Sequence, residues 1–60
     1  MDYRAFLMSA TGDVLKRNDF TSPNDAAALQ HARLYVENND VEVWQLHRLV
    51  GLLRHTDKAF

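Results

Sequence analysis

The sequence predicts an α+β fold of order ββαββ. Four strands form one antiparallel sheet in the order 2-1-3-4, and a single helix packs on one of its faces. Three observations lead there. The turn-forming run Thr11-Gly12-Asp13 divides two largely apolar stretches. "TSPNDAAALQHARLYVENND" then carries a complete set of helix signals. Finally, "VEVW" in the segment "VEVWQLHRLVGLLRH" alternates β-branched or aromatic residues with a polar one, as strands do.

The first strand is expected over about residues 3–10. Tyr3, Ala5 and Leu7 would share one face, with Phe6, Met8 and Ala10 on the other. Only Arg4 and Ser9 interrupt its apolar character, which marks a central strand. The second strand, about 14–20, is diluted by Lys16, Arg17, Asn18 and Asp19. Charges of this kind discourage edge-to-edge pairing and suit an edge position. The helix is expected over about 23–37. Ser22 is a good N-cap, Pro23 suits the first helical position, and Asp25 favours the positive end of the helix dipole. Ala28, Leu29, Ala32, Tyr35 and Val36 form one stripe at helical spacing, and Asn38-Asn39 supplies a stop.

Residues 41 to 55 admit two readings. Val43, Leu46, Val50 and Leu53 have helical spacing, but Gly51 would cost a helix interior about 1 kcal/mol. The hairpin reading places strands at about 41–46 and 49–54, with a tight turn around Leu46-His47-Arg48. It is preferred, although the turn lacks the Asn-Gly or Asp-Gly usual in two-residue loops. With a two-residue loop, Val41, Val43, Val50 and Leu52 share the face under the helix. Trp44, Leu49 and Leu53 share the far face. A helix crossing over the first strand, right-handed, sets the third strand beside it.

The run "YRAFLMSATGDVLKRNDF", the helix "DAAALQHAR" and "DVEVWQLHRLVGLL" together resemble a group of short uncharacterised proteins of about 60 residues from alphaproteobacteria, rhizobia and their relatives in particular. The resemblance runs from Tyr3 to Leu53. Its most specific elements are the aromatic-rich first strand before Gly12, Phe20 ahead of the helix, and "VEVWQ" followed by "RLVG". In that group the turn after "VEVWQ" often carries glycine, where this chain has Leu46. The group has no known activity, so the resemblance supports the hairpin and implies nothing about function.

Sixty residues suffice for one domain, residues 1–60, and a chain this short buries only about 60% of its unfolded surface. Disulfides and thiolate zinc sites are excluded, because there is no cysteine. Self-association is the reinforcement that remains. Lys and Arg number 7 against 8 acidic residues, with no basic stripe, so a nucleic-acid partner is not expected. No apolar run approaches the ~20 residues that span a bilayer, and "MDYRAF" lacks the features of a secretory signal. A cytoplasmic location with no membrane contact is therefore expected.

Catalytic chemistry finds no foothold. His31, His47 and His55 lack the spacing of a metal-ligand set, so no metal or cofactor is expected. Ser9, Thr11, Thr21, Ser22 and Thr56 stand in no nucleophile-elbow pattern, and "ATGDVLKR" lacks P-loop spacing. One helix on a small sheet is not expected to enclose a pocket of ~300 Å3. The chain is thus read as a non-enzymatic interaction module, with Trp44, Leu49 and Leu53 as the candidate interface. Its partner is expected to be a second copy, making a homodimer, or another protein. The alternative is a small regulatory or nucleic-acid-associated domain, by analogy of element order with HicB-type antitoxins. Lys16, Arg17, Arg48 and Arg54 would then carry the contacts.

Overall fold

A computed structural model describes residues 1–57. Its elements follow the order β1 (Asp2–Met8), β2 (Val14–Thr21), α1 (Asp25–Ala32), a 3₁₀ turn (Arg33–Tyr35), β3 (Asp40–Gln45), β4 (Arg48–Leu53) and a last 3₁₀ turn (His55–Asp57). The strands form one antiparallel sheet in the order β2-β1-β3-β4, as expected. Residues 41–53 are therefore a hairpin and not a helix. Among the described residues, no helix is long and apolar enough to cross a membrane.

Alternation along β1 decides where the core lies. Tyr3 and Ala5 point under α1 and are buried, as are Val41 and Val43 of β3. From the other side the helix contributes Ala28 and Ala32, both fully buried, while Leu29, Tyr35 and Val36 complete the expected stripe. Small side chains on both layers let helix and sheet approach closely. The resulting core is thin, and its largest fully buried side chains are Tyr3, Val41 and Val43.

The helix is shorter than expected. Ser22 does not cap it, because just past the end of β2 its backbone pairs with Met1: its N–H donates to Met1 O and its carbonyl accepts from Met1 N, each at 3.0 Å. Asn24 takes over the cap, with Oδ1 accepting from the Ala27 N–H at 2.8 Å. Pro23 precedes the helix instead of opening it. The α-helix ends at Ala32 and tightens into the 3₁₀ turn, after which Val36 is extended (φ −81°, ψ 110°). That exit drops Val36 into the core well before Asn38-Asn39.

Both edge strands carry a β-bulge. Opposite Leu7 and Met8 stand Lys16 and Val14, which leaves Leu15 of β2 as the extra residue. Opposite Val43 and Trp44 stand Gly51 and Leu49, which leaves Val50 of β4 as the extra residue. Bulges twist an edge away from foreign strands, so both free edges of this sheet are blunted. The second bulge has a packing cause. It brings Gly51 beneath the helix, where a Cβ would lie 2.8 Å from Leu29 Cδ2. A Cβ there would require the end of the Leu29 side chain to shift.

Each hairpin turn has its own chemistry. In the first, Ser9 N–H donates to the Asp13 carbonyl at 2.7 Å, Asp13 N–H donates to Ser9 Oγ at 3.0 Å, and Gly12 supplies a φ of 90°. In the second, Leu46 occupies the left-handed region at φ 53° and is largely exposed. A non-glycine residue there is strained by roughly 1–2 kcal/mol. Leu46→Gly is therefore expected to stabilise the chain by about 0.5–1 kcal/mol after the entropy added to the unfolded state. A thermal melt checks this, with a rise of a few degrees expected.

Candidate functional site

The helix covers one face of the sheet, and the other face is open. Register places its side chains in rows, two of which run across all four strands, with Thr21–Asp2 and Val14–Met8–Asp40 beyond them. Asp19, Arg4, Trp44 and Leu49 lie side by side across β2, β1, β3 and β4. Arg17, Phe6, Glu42 and Leu52 form the next row in the same strand order. Phe6 and Trp44 are half-buried, while Leu49 and Leu52 are 50% and 43% exposed. Val14 and Leu15 add exposed apolar surface near the first turn.

Two of the three expected interface residues lie on this face. Trp44 and Leu49 are directly opposite each other. Leu53 does not join them: it pairs with Val41 and packs against the core, and Leu52 takes its place outside. The bulge at Val50 shifts the register by one and exchanges the two leucines, a one-residue slip that swaps faces. Leu53→Ala is accordingly expected to cost about 1–2 kcal/mol of stability, and Leu52→Ala close to nothing, in chemical denaturation of the dilute chain.

The polar groups of the open face are mostly satisfied within it. Trp44 Nε1 donates to Glu42 Oε1 at 3.0 Å, which ties the indole to the sheet. Arg17 and Asp19, two apart on one strand and so on one side of it, form an ion pair at 3.2 Å. Arg4 has no ion pair among the described residues. Asp2 and Asp40 lie on the same side of β1 and β3, so Arg4 and Arg17 stand against Asp2, Asp19, Asp40 and Glu42, and the face is formally acidic.

The residues suspected of nucleic-acid contact do not gather. Lys16 pairs with Leu7 on the helix side of β2, whereas Arg17 lies on the open face. Arg48 reaches round to the start of the helix, donating to Asp25 Oδ2 at 2.8 Å and Oδ1 at 3.0 Å. Arg54 follows β4 near Asp40. The histidines are equally dispersed. His31 contacts the Tyr35 hydroxyl at 3.0 Å and stacks on Phe20, His47 sits in the second turn, and His55 pairs with Asp40 at 2.8 Å. Among the described residues, no group of metal-ligating side chains comes together.

A depression of about 350 Å3 lies at one corner of the sheet, lined by Asp2, Tyr3, Arg4, Asp19, Phe20, Thr21 and Leu46. It is open to solvent on the surface and is not an enclosed pocket. No histidine is among these lining residues, and Thr21 has no base beside it there.

Tyr3, Asp25 and Arg48 form a polar clasp joining β1, α1 and β4. The Tyr3 hydroxyl donates to Asp25 Oδ1 at 2.9 Å, beside the bidentate Arg48. Arg48, and then Tyr3, hold the Asp25 carboxyl below its ordinary range; His55 does the same for Asp40. A carboxyl depressed in the folded state stabilises the fold above its unfolded pKa, near 3.9, and loses that contribution as pH falls through the folded value. Stability is thus expected to decline below about pH 4. Asp25→Asn is expected to lower stability at pH 7 and flatten the acid limb, read by denaturant midpoints at each pH.

Comparison with protein-family models, with curated proteins and with solved structures returns no match to this chain.

Proposed function

We infer that the chain is a non-enzymatic interaction module that associates with a copy of itself through the open face of its sheet. The observation that carries this reading is the row of Trp44 and Leu49 beside Phe6 and Leu52 on a face that no described element covers. A contiguous apolar patch around a tryptophan is a mark of an interface. The thin core supports it too, since a chain of this size gains most from burying a further surface. Blunted edges favour the face over strand-to-strand pairing. A protein partner suits the surface better than nucleic acid, because Arg17 and Arg48 are already matched by Asp19 and Asp25. A cytoplasmic setting belongs to the same reading.

Trp44 is the only tryptophan, so its fluorescence reports on this face alone. Raising the protein concentration is expected to shift its emission to shorter wavelength as the indole leaves water. Emission that stays constant from low micromolar to millimolar concentration contradicts the reading.

A further inference from the structure

Resting on that reading, we propose that the second copy packs with its two-fold axis running across the strands, between the Arg4–Trp44 row and the Phe6–Glu42 row, and that Arg17 and Asp19 set this orientation. A two-fold interface is self-complementary: whatever one residue meets on the partner, the partner's residue meets in return. Face-to-face packing allows two simple orientations, with the axis along the strands or across them. The registers decide between them.

An axis along the strands exchanges β1 with β3 and β2 with β4 while keeping each row opposite itself. Asp19 would then face Leu49 of the other copy, Arg17 would face Leu52 and Phe6 would face Glu42, with Arg4 over Trp44 the one favourable pairing. Charges pressed against apolar side chains lose water without gaining a partner, which is costly.

An axis across the strands keeps each strand over its own copy and exchanges the two rows. Asp19 then faces Arg17 of the other copy, Leu49 faces Leu52, and the Arg4 guanidinium lies over Phe6. Trp44 faces the other copy's Glu42, so the contact of a carboxylate with an aromatic ring is common to both orientations and does not separate them. Opposite charges meet, leucine meets leucine, and a cation lies over an aromatic face. Arg4, which has no ion pair among the described residues, gains a partner. The aligned packing of two twisted sheets, offset by about 30°, holds these pairings best near the centre.

The Arg17–Asp19 exchange gives a test by charge reversal. In a homodimer of Arg17→Asp, carboxylates face carboxylates at both sites; in a homodimer of Asp19→Arg, guanidiniums face guanidiniums. Each variant is expected to self-associate at least ~10-fold more weakly than the unaltered chain. Mixed in equal amounts, the two are complementary at both sites and are expected to form a heterodimer, seen by native mass spectrometry as the mixed-mass species. Both positions are more than half exposed, so the fold should survive, and circular dichroism verifies it. Should either reversal unfold the chain, Arg17→Gln and Asp19→Asn are each expected to weaken association about threefold.

Single variants that associate like the unaltered chain, or a mixture no tighter than its components, overturn the proposed orientation. If Trp44→Ala still weakens association in that case, the open-face reading survives with another orientation. An unaltered chain that stays monomeric overturns both.

Discussion

Trp44→Ala is expected to weaken self-association at least ~30-fold, the effect of losing about 2 kcal/mol at the centre of an interface. The fold should hardly change. Trp44 lies on the side of β3 away from the helix, and the buried residues beneath α1 do not include it. Its flanking partners are Arg4 on β1 and Leu49 on β4, so its loss removes the middle of the apolar row. It also frees the Glu42 carboxylate from the indole N–H, leaving an acid at a contact that must shed water. Both effects act on association. Sedimentation velocity together with far-ultraviolet circular dichroism separates them from unfolding.

Val43→Ala is expected to lower the stability of the single chain by about 2–3 kcal/mol. Two buried methyl-sized groups account for ~1.6 kcal/mol, and the cavity they leave adds the rest. Across the sheet Val43 stands between Ala5 and Gly51, and the helix above presents Ala28 and Ala32, none of which can reach into the gap. Leu29, over Gly51, is the long side chain beside it, so the gap closes only in part. A chain of this length has on the order of 3–9 kcal/mol of stability, so the loss is a large share of the whole. Urea denaturation at low protein concentration measures it.

Most of the fold was legible because its signals are local. The strand order followed from the apolar first strand and the charged second one. The helix stripe Ala28, Leu29, Ala32, Tyr35 and Val36 was readable from spacing, and all five residues pack in the core. The cap was misread because Ser22 has two uses, and the pairing of its backbone with Met1 prevails over helix initiation. Nothing local distinguishes those uses.

Half of the open face was legible in the same way. Trp44 and Leu49 were placed correctly by alternation, but Leu52 and Leu53 were exchanged. The exchange comes from the bulge at Val50, which serves a tertiary contact between Leu29 and Gly51. Gly51 was the available signal: a glycine inside a strand marks a bulge or a close approach. Arg17 and Asp19 were read as mere surface charges. Only the pairing of β2 with β1 shows that they share a side with Phe6 and Arg4.

Sedimentation equilibrium of the unaltered chain across a range of concentrations bears most directly on the open face as a self-association surface. A monomer–dimer equilibrium is expected, with the average mass rising from 6.9 kDa toward twice that value as concentration increases. A mass that stays at 6.9 kDa up to millimolar concentration contradicts it.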